Sequence, residues 1–130
     1  MKCYQIVFSP TGGTERVARA ITQNWSQVDA IDLSAPDTKY ADICIESDAL
    51  SVIAMPSFGG VAPQLALDRL AMIKGNGAKC VIAAVYGNRA YEDTLVQIED
   101  YAQNAGFQVI AAISAVAEHS IIHEYAAGRP

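Results

Sequence analysis

The sequence is poor in positive charge and in histidine, and its cysteines form no paired motif. Nine lysines and arginines stand against 14 acids, a formal net charge of −5, with an isoelectric point near 4.8. Such a surface repels phosphate backbones, which excludes nucleic acid as a partner. Cys3, Cys44 and Cys80 are far apart and contain no C-x-x-C. They offer no zinc or iron–sulfur ligand spacing; Cys3 and Cys80, set in apolar runs, read as small buried hydrophobes. Long hydrophobic runs are also missing, because charged residues interrupt every apolar stretch before a membrane span is complete. No basic region followed by a cleavable apolar stretch opens the chain, so the expected location is cytoplasmic and away from membranes.

What is present is apolar and ordered in segments. With 130 residues, 52% of them hydrophobic, the chain is expected to be one domain, residues 1–130, able to bury a real core. Strand-like runs occur at 3–9, 28–33, 50–56, 79–86 and 107–116. Most are continuous rather than alternating, as in strands covered on both faces. Helical patterns lie between them. Over 14–26, Val17, Ala18, Ile21 and Trp25 fall on one face. Pro63 opens the next helix, which Gly75-Asn76-Gly77 ends. Over 91–105, Leu95, Ile98, Ala102 and Ala105 form one stripe that stops at Gly106. The polar segment 34–48 reads as a long crossover with at most a short helix.

Strands alternating with helices imply a parallel sheet with right-handed crossovers. Five strands predict the doubly wound order 2-1-3-4-5 in a three-layer α/β/α arrangement, with the ligand site beyond the carboxyl ends of strands 1, 3 and 4. Three loops follow those strands: Ser9–Thr14, Ser57–Ala62 and Gly87–Tyr91.

The first, S-P-T-G-G-T, holds no lysine or arginine. Gly12 and Gly13 let the backbone turn tightly and point its amides inward. The following helix presents unpaired amides and its positive dipole end to the same spot. Hydroxyls of Ser9, Thr11 and Thr14 can donate further bonds. These groups suffice for a phosphate monoester; the alternative is a tight strand-to-helix turn with a threonine cap. Neither a Walker loop nor G-x-G-x-x-G is present.

The run I-V-F-S-P-T-G-G-T-E-R-V-A-R-A-I resembles the FMN-phosphate signature of flavodoxins. Its loop, one residue shorter before Thr11 than in most flavodoxins, is similar to that of flavodoxin domains fused to a ferredoxin-like 4Fe–4S segment. M-P-S-F-G-G-V-A-P, residues 55–63, resembles the family loop along the isoalloxazine edge. The resemblance implies cofactor contacts from Pro56, Ser57, Phe58, Gly59 and Gly60, with Gly59-Gly60 able to turn a backbone carbonyl toward flavin N5. Val61 stands where the family has arginine. V-Y-G-N-R-A-Y-E-D, residues 85–93, is similar to the family's G-D-S-x-Y loop, with Asn88 in place of aspartate. It implies contacts from Gly87, Asn88 and Arg89, and stacking of Tyr91 on the flavin face.

Only 14 residues, 117–130, follow the fifth strand, so the family's closing helix is expected to be short or absent. The chain then reads either as the N-terminal part of a flavodoxin–ferredoxin fusion or as a domain covered by a second copy. His119 and His123 lack a third metal ligand and read as tail histidines. A response-regulator receiver, which shares the strand order, would need acids where the chain has Ser9-Pro10 and Met55-Pro56. The leading functional expectation is an FMN-binding electron-transfer domain serving a basic or iron–sulfur redox partner. An FMN-dependent NAD(P)H:quinone or small-acceptor reductase and a cofactor-free interaction domain are the alternatives.

Overall fold

The computed structural model describes residues 1–87, 92–116 and 121–126; side-chain surroundings are described for 1–87 and 93–116. Strands β1 (Cys3–Val7), β2 (Val28–Asp32), β3 (Leu50–Pro56), β4 (Lys79–Tyr86) and β5 (Gln108–Val116) alternate with helices α1 (Gly13–Thr22), α2 (Gln64–Met72) and α3 (Glu92–Asn104). The five strands are parallel in the order 2-1-3-4-5 that the sequence predicts. The crossover between β2 and β3 contains one turn of 3₁₀ helix, Tyr40–Asp42.

The central strands β3 and β4 are apolar runs because each of their faces meets a helix layer, whereas the edge strand β2, Val-Asp-Ala-Ile-Asp, is half exposed. Val7, Val52, Ala54, Val81, Ala83 and Ile113 face α1, whose Ala18 and Ile21 pack on them together with Trp25 just beyond the helix. Ile6, Ile53, Met55, Ile82 and Tyr86 face the other way, toward Leu67 and Leu70 of α2 and Ile98 and Ala102 of α3. Full burial of each large aliphatic side chain contributes about 1.5–3 kcal/mol. Helix α1 stops at Thr22, four residues short of the sequence expectation. The Thr22 hydroxyl donates back to the Ala18 carbonyl at 3.0 Å, and Gln23, Asn24 and Ser26 are exposed, so Trp25 is left as the one apolar contact beyond the last turn.

The segment after β5 holds one addition to the expected architecture. Residues Ile121–Ala126 form a sixth strand, β6, antiparallel to β5 and registered from Val116↔Ile121 to Ala111↔Ala126. Among the described residues no helix follows β5. Ile121, Ile122 and Tyr125 suit a strand better than a helix, which is the physical reason for the difference. No described helix is long and apolar enough to cross a membrane.

Candidate functional site

The sheet order puts a topological switch between β1 and β3, because the chain leaves β1 toward one edge and later returns on its other side. The first loop lies at the carboxyl end of β1. Gly12 takes φ +93°, a left-handed conformation that glycine adopts freely. A Cβ there would find nothing within 4 Å, so the glycine serves backbone conformation and leaves open space in front of the chain.

Helix α1 begins immediately afterward, and its first-turn amides have no intrahelical carbonyl to bond. Ser9 Oγ accepts the Glu15 amide at 3.0 Å, and the Gly12 carbonyl accepts the Arg16 amide at 3.1 Å. The amides of Gly13 and Thr14 are thus the pair left to meet an anion. The side-chain cap is Ser9, reaching back from before the turn, rather than the threonine of the alternative reading. Ser9 still has its hydroxyl proton to donate. Thr11 is exposed and Thr14 buried.

A cavity of about 90 Å³ on the β2 side of Ser9 is lined in part by Gln5, Glu15 and Asp32. Its two carboxylates repel an anion, which leaves the Gly12–Thr14 side as the approach. Asp32 is occupied locally, accepting the Ser34 amide at 2.8 Å; Glu15 pairs with Arg19 at 2.8 Å.

The second loop is built as a miniature hairpin. Phe58 donates its amide to the Val61 carbonyl at 2.8 Å, and Val61 donates back at 3.3 Å. Between them Gly59 and Gly60 have φ of 61° and 89°, the positive pair that a type I′ turn requires. Phe58 and Val61 are about half exposed (55% and 50%), so an apolar lip stands at the rim of the crevice. Pro56 is buried at the end of β3. Ser57 is fixed by its amide to the Val85 carbonyl at 2.8 Å and by its hydroxyl to Thr94 Oγ1 at 2.7 Å. Ala62 donates its amide to Gln97 Oε1 at 2.8 Å.

Of the third loop, Gly87 is exposed with open space around it. Asn88, Arg89 and Tyr91 lie outside the described residues, as do His119 and the side chain of His123. Strands β1, β3 and β4 therefore bring Ser9, Thr11, Gly12, Gly13, Thr14, Pro56, Ser57, Phe58, Gly59, Gly60 and Gly87 to one end of the sheet. Among the described residues no three His, Cys, Asp or Glu converge to hold a metal ion. Cys3 and Cys80 are buried as expected, and Cys44 is exposed. Burial pushes the Cys80 thiol up to about 12.

Sequence reasoning missed Thr94 and Gln97. Their signal is weak: both are polar positions on a helix whose apolar stripe already accounts for its packing.

No protein-family model matches the chain, and no curated protein does. Solved structures do. The flavodiiron core of Flv1 from Synechocystis superposes with a TM-score of 0.64 at 19% identity, over 89% of this chain and 30% of that one. An archaeal flavodoxin gives 0.61 at 17% identity, over 84% and 78%. A Lactobacillus acidophilus flavoprotein solved in complex with FMN gives 0.61 at 12% identity, over 91% and 94%. The chain thus spans less than a third of the flavodiiron core but most of the smaller flavoproteins. Its fold is flavodoxin-like, and the structures it is similar to are flavoproteins.

Proposed function

We propose that the chain is an FMN-binding electron-transfer domain. The observation that carries this reading is the Gly12–Thr14 turn. It is an open, cation-free set of amides and hydroxyls at the switch point of a flavodoxin-like sheet, with an apolar hairpin lip across the crevice. Gly13 and Thr14 amides, with the Ser9, Thr11 and Thr14 hydroxyls, would hold the terminal phosphate. Pro56–Gly60, Gly87, Asn88 and Arg89 would border the ring, and Tyr91 would stack on it. Bound FMN supplies one- or two-electron transfer. The residues hold it by backbone groups, leaving no lysine or arginine of the first loop to offset the acidic field. A net charge of −5 favours a partner with a basic face. The short first loop supports a chain continued by a ferredoxin-like 4Fe–4S segment in the cytoplasm; a second copy covering the α1 face is the alternative.

Titration with FMN, followed by flavin fluorescence quenching, tests the reading. Thr11→Ala and Thr14→Ala are expected to weaken FMN binding by on the order of 1–2 kcal/mol and to leave riboflavin, which lacks the phosphate, unaffected. Tyr91→Ala should weaken both ligands. Unchanged affinity in all three variants overturns the site. No uptake by the native chain supports a cofactor-free interaction domain, and steady NAD(P)H oxidation with a quinone supports a reductase.

A further inference from the structure

The Phe58–Val61 hairpin is held at both feet by one helix. On the β3 side, the Ser57 hydroxyl meets Thr94 Oγ1 at 2.7 Å. On the α2 side, the Ala62 amide donates to Gln97 Oε1 at 2.8 Å. Thr94 and Gln97 are three residues apart on α3 and so share a face. Thr94 is fully buried and Gln97 half-buried, so both bonds are partly shielded from water. The Ser57 amide is separately fixed to β4. Between the two feet, among the described residues, the hairpin carries its own pair of backbone bonds and two positive-φ glycines.

Removing either α3 group would orphan a hairpin partner. Without the Gln97 carbonyl, the Ala62 amide loses its acceptor; without the Thr94 hydroxyl, Ser57 loses its buried partner. An apolar residue at 94 or 97 would offer the hairpin no hydrogen bond and so would release that foot from α3. Helix α3 is also the element that the chain enters directly from the third loop.

We infer that Thr94 and Gln97 are positioning residues, which fix the feet of the Phe58–Val61 hairpin to α3 and leave the Gly59–Gly60 peptide, among the described residues, without a backbone bond. The ring-facing lip is then set by α3 rather than by β3 alone. This inference rests on the FMN reading for its functional meaning but not for its geometry.

The test therefore has one arm without ligand and one with it. In the flavin-free protein, Gln97→Ala should speed amide hydrogen exchange at Ala62 about tenfold and carry Val61 with it. Gln97→Glu, which keeps an acceptor oxygen, should restore the native rate. Thr94→Val should speed exchange at Ser57 and Phe58, and Thr94→Ser should restore it. With ligand, Gln97→Ala should weaken FMN and riboflavin by the same factor of about ten, because the hairpin meets the ring and not the phosphate; Gln97→Glu should recover both. Folded Gln97→Ala protein whose Ala62 amide exchanges at the native rate overturns the clamp. Normal exchange loss combined with unchanged riboflavin affinity overturns its positioning role. If the native chain binds neither flavin, the FMN reading falls while the exchange arm still decides the clamp.

Discussion

Glycines occupy both ends of this sheet, and Gly75 at the amino end does so for the opposite reason to Gly12 and Gly59 at the carboxyl end. At the carboxyl end, Gly12 and Gly59 have positive φ, and a Cβ at either would meet nothing within 4 Å. At the amino end, Gly75 lies outside the left-handed region. A Cβ there would stand 2.7 Å from the Phe107 backbone nitrogen and 2.8 Å from the Gly106 carbonyl carbon. The Gly75 amide also donates to the Ala105 carbonyl at 2.8 Å, and Gly77 to that of Gly106 at 2.7 Å. Gly12 and Gly59 serve to bend an open backbone, as Gly77 does at the amino end; Gly75 alone of these brings two connections into contact. The backbone at Gly12 and Gly59 is thus free of close neighbours, whereas at Gly75 the α2–β4 and α3–β5 connections touch.

Substitutions that fill or free these ends separate the two roles. The largest effect is expected from Gly75→Ala. The clash is with backbone, which cannot rotate away, so stability should fall by about 3 kcal/mol, read from the urea midpoint. Flavin affinity of the folded fraction should not change. A loss below 1 kcal/mol would mean that the amino-end junction is not rigid.

Next is the carboxyl end. Ser9→Ala removes the acceptor of the Glu15 amide and should cost about 1 kcal/mol in the same measurement, while also weakening FMN relative to riboflavin. An equal loss for both ligands would detach Ser9 from the phosphate site.

The third effect is silent at neutral pH. Cys80, buried near the amino end of β4, has its thiol raised from 9.0 to about 12 by burial. In the unfolded chain that thiol ionises near its ordinary value, while in the fold it keeps its proton. Stability is therefore full below pH 9 and falls as pH rises toward 12, by about 1 kcal/mol at pH 10. Tyr4 adds in the same direction, raised to about 12 by burial first and then by its bond to Glu46 and the charges of Glu46 and Asp29. Cys80→Ala should flatten this alkaline loss in melts at pH 8 and pH 10; an unchanged slope would place the titration elsewhere.

Much of the architecture was legible because burial on two faces leaves long apolar runs. β3 and β4 match their expected bounds, and the helical stripes on α1 and α3 point where their spacing says. The order of strands followed from alternation and handedness, and it located the three loops. Interactions between distant polar groups left no such trace. The Ser9 bond to Glu15 looks in sequence like any serine near a helix start. Gly59-Gly60 read in sequence as a pair able to turn a carbonyl, but the type I′ hairpin between Phe58 and Val61 emerges only from its φ angles and backbone bonds. Thr94 and Gln97 have no period to reveal them, since their partners are 37 and 35 residues away. β6 was hidden for another reason: its six residues of mixed polarity have strand propensity but need the edge that β5 offers to pair with.

The irregularity between β4 and β5 has a consequence for how this chain can change length. Cys80 pairs with Val109, but Val81 pairs with Ala111, so Ile110 is skipped and stands 43% exposed. The extra residue inverts the alternation of everything after it. Val109 serves the α2–α3 core, whereas Ala111, Ile113 and Ala115 serve the α1 side. A one-residue deletion elsewhere in β5 would exchange inside for outside along the rest of the strand. At Ile110 the same deletion would only straighten the pleat. One strand thus supplies two cores from a single apolar run, and position 110 is where its length is adjustable.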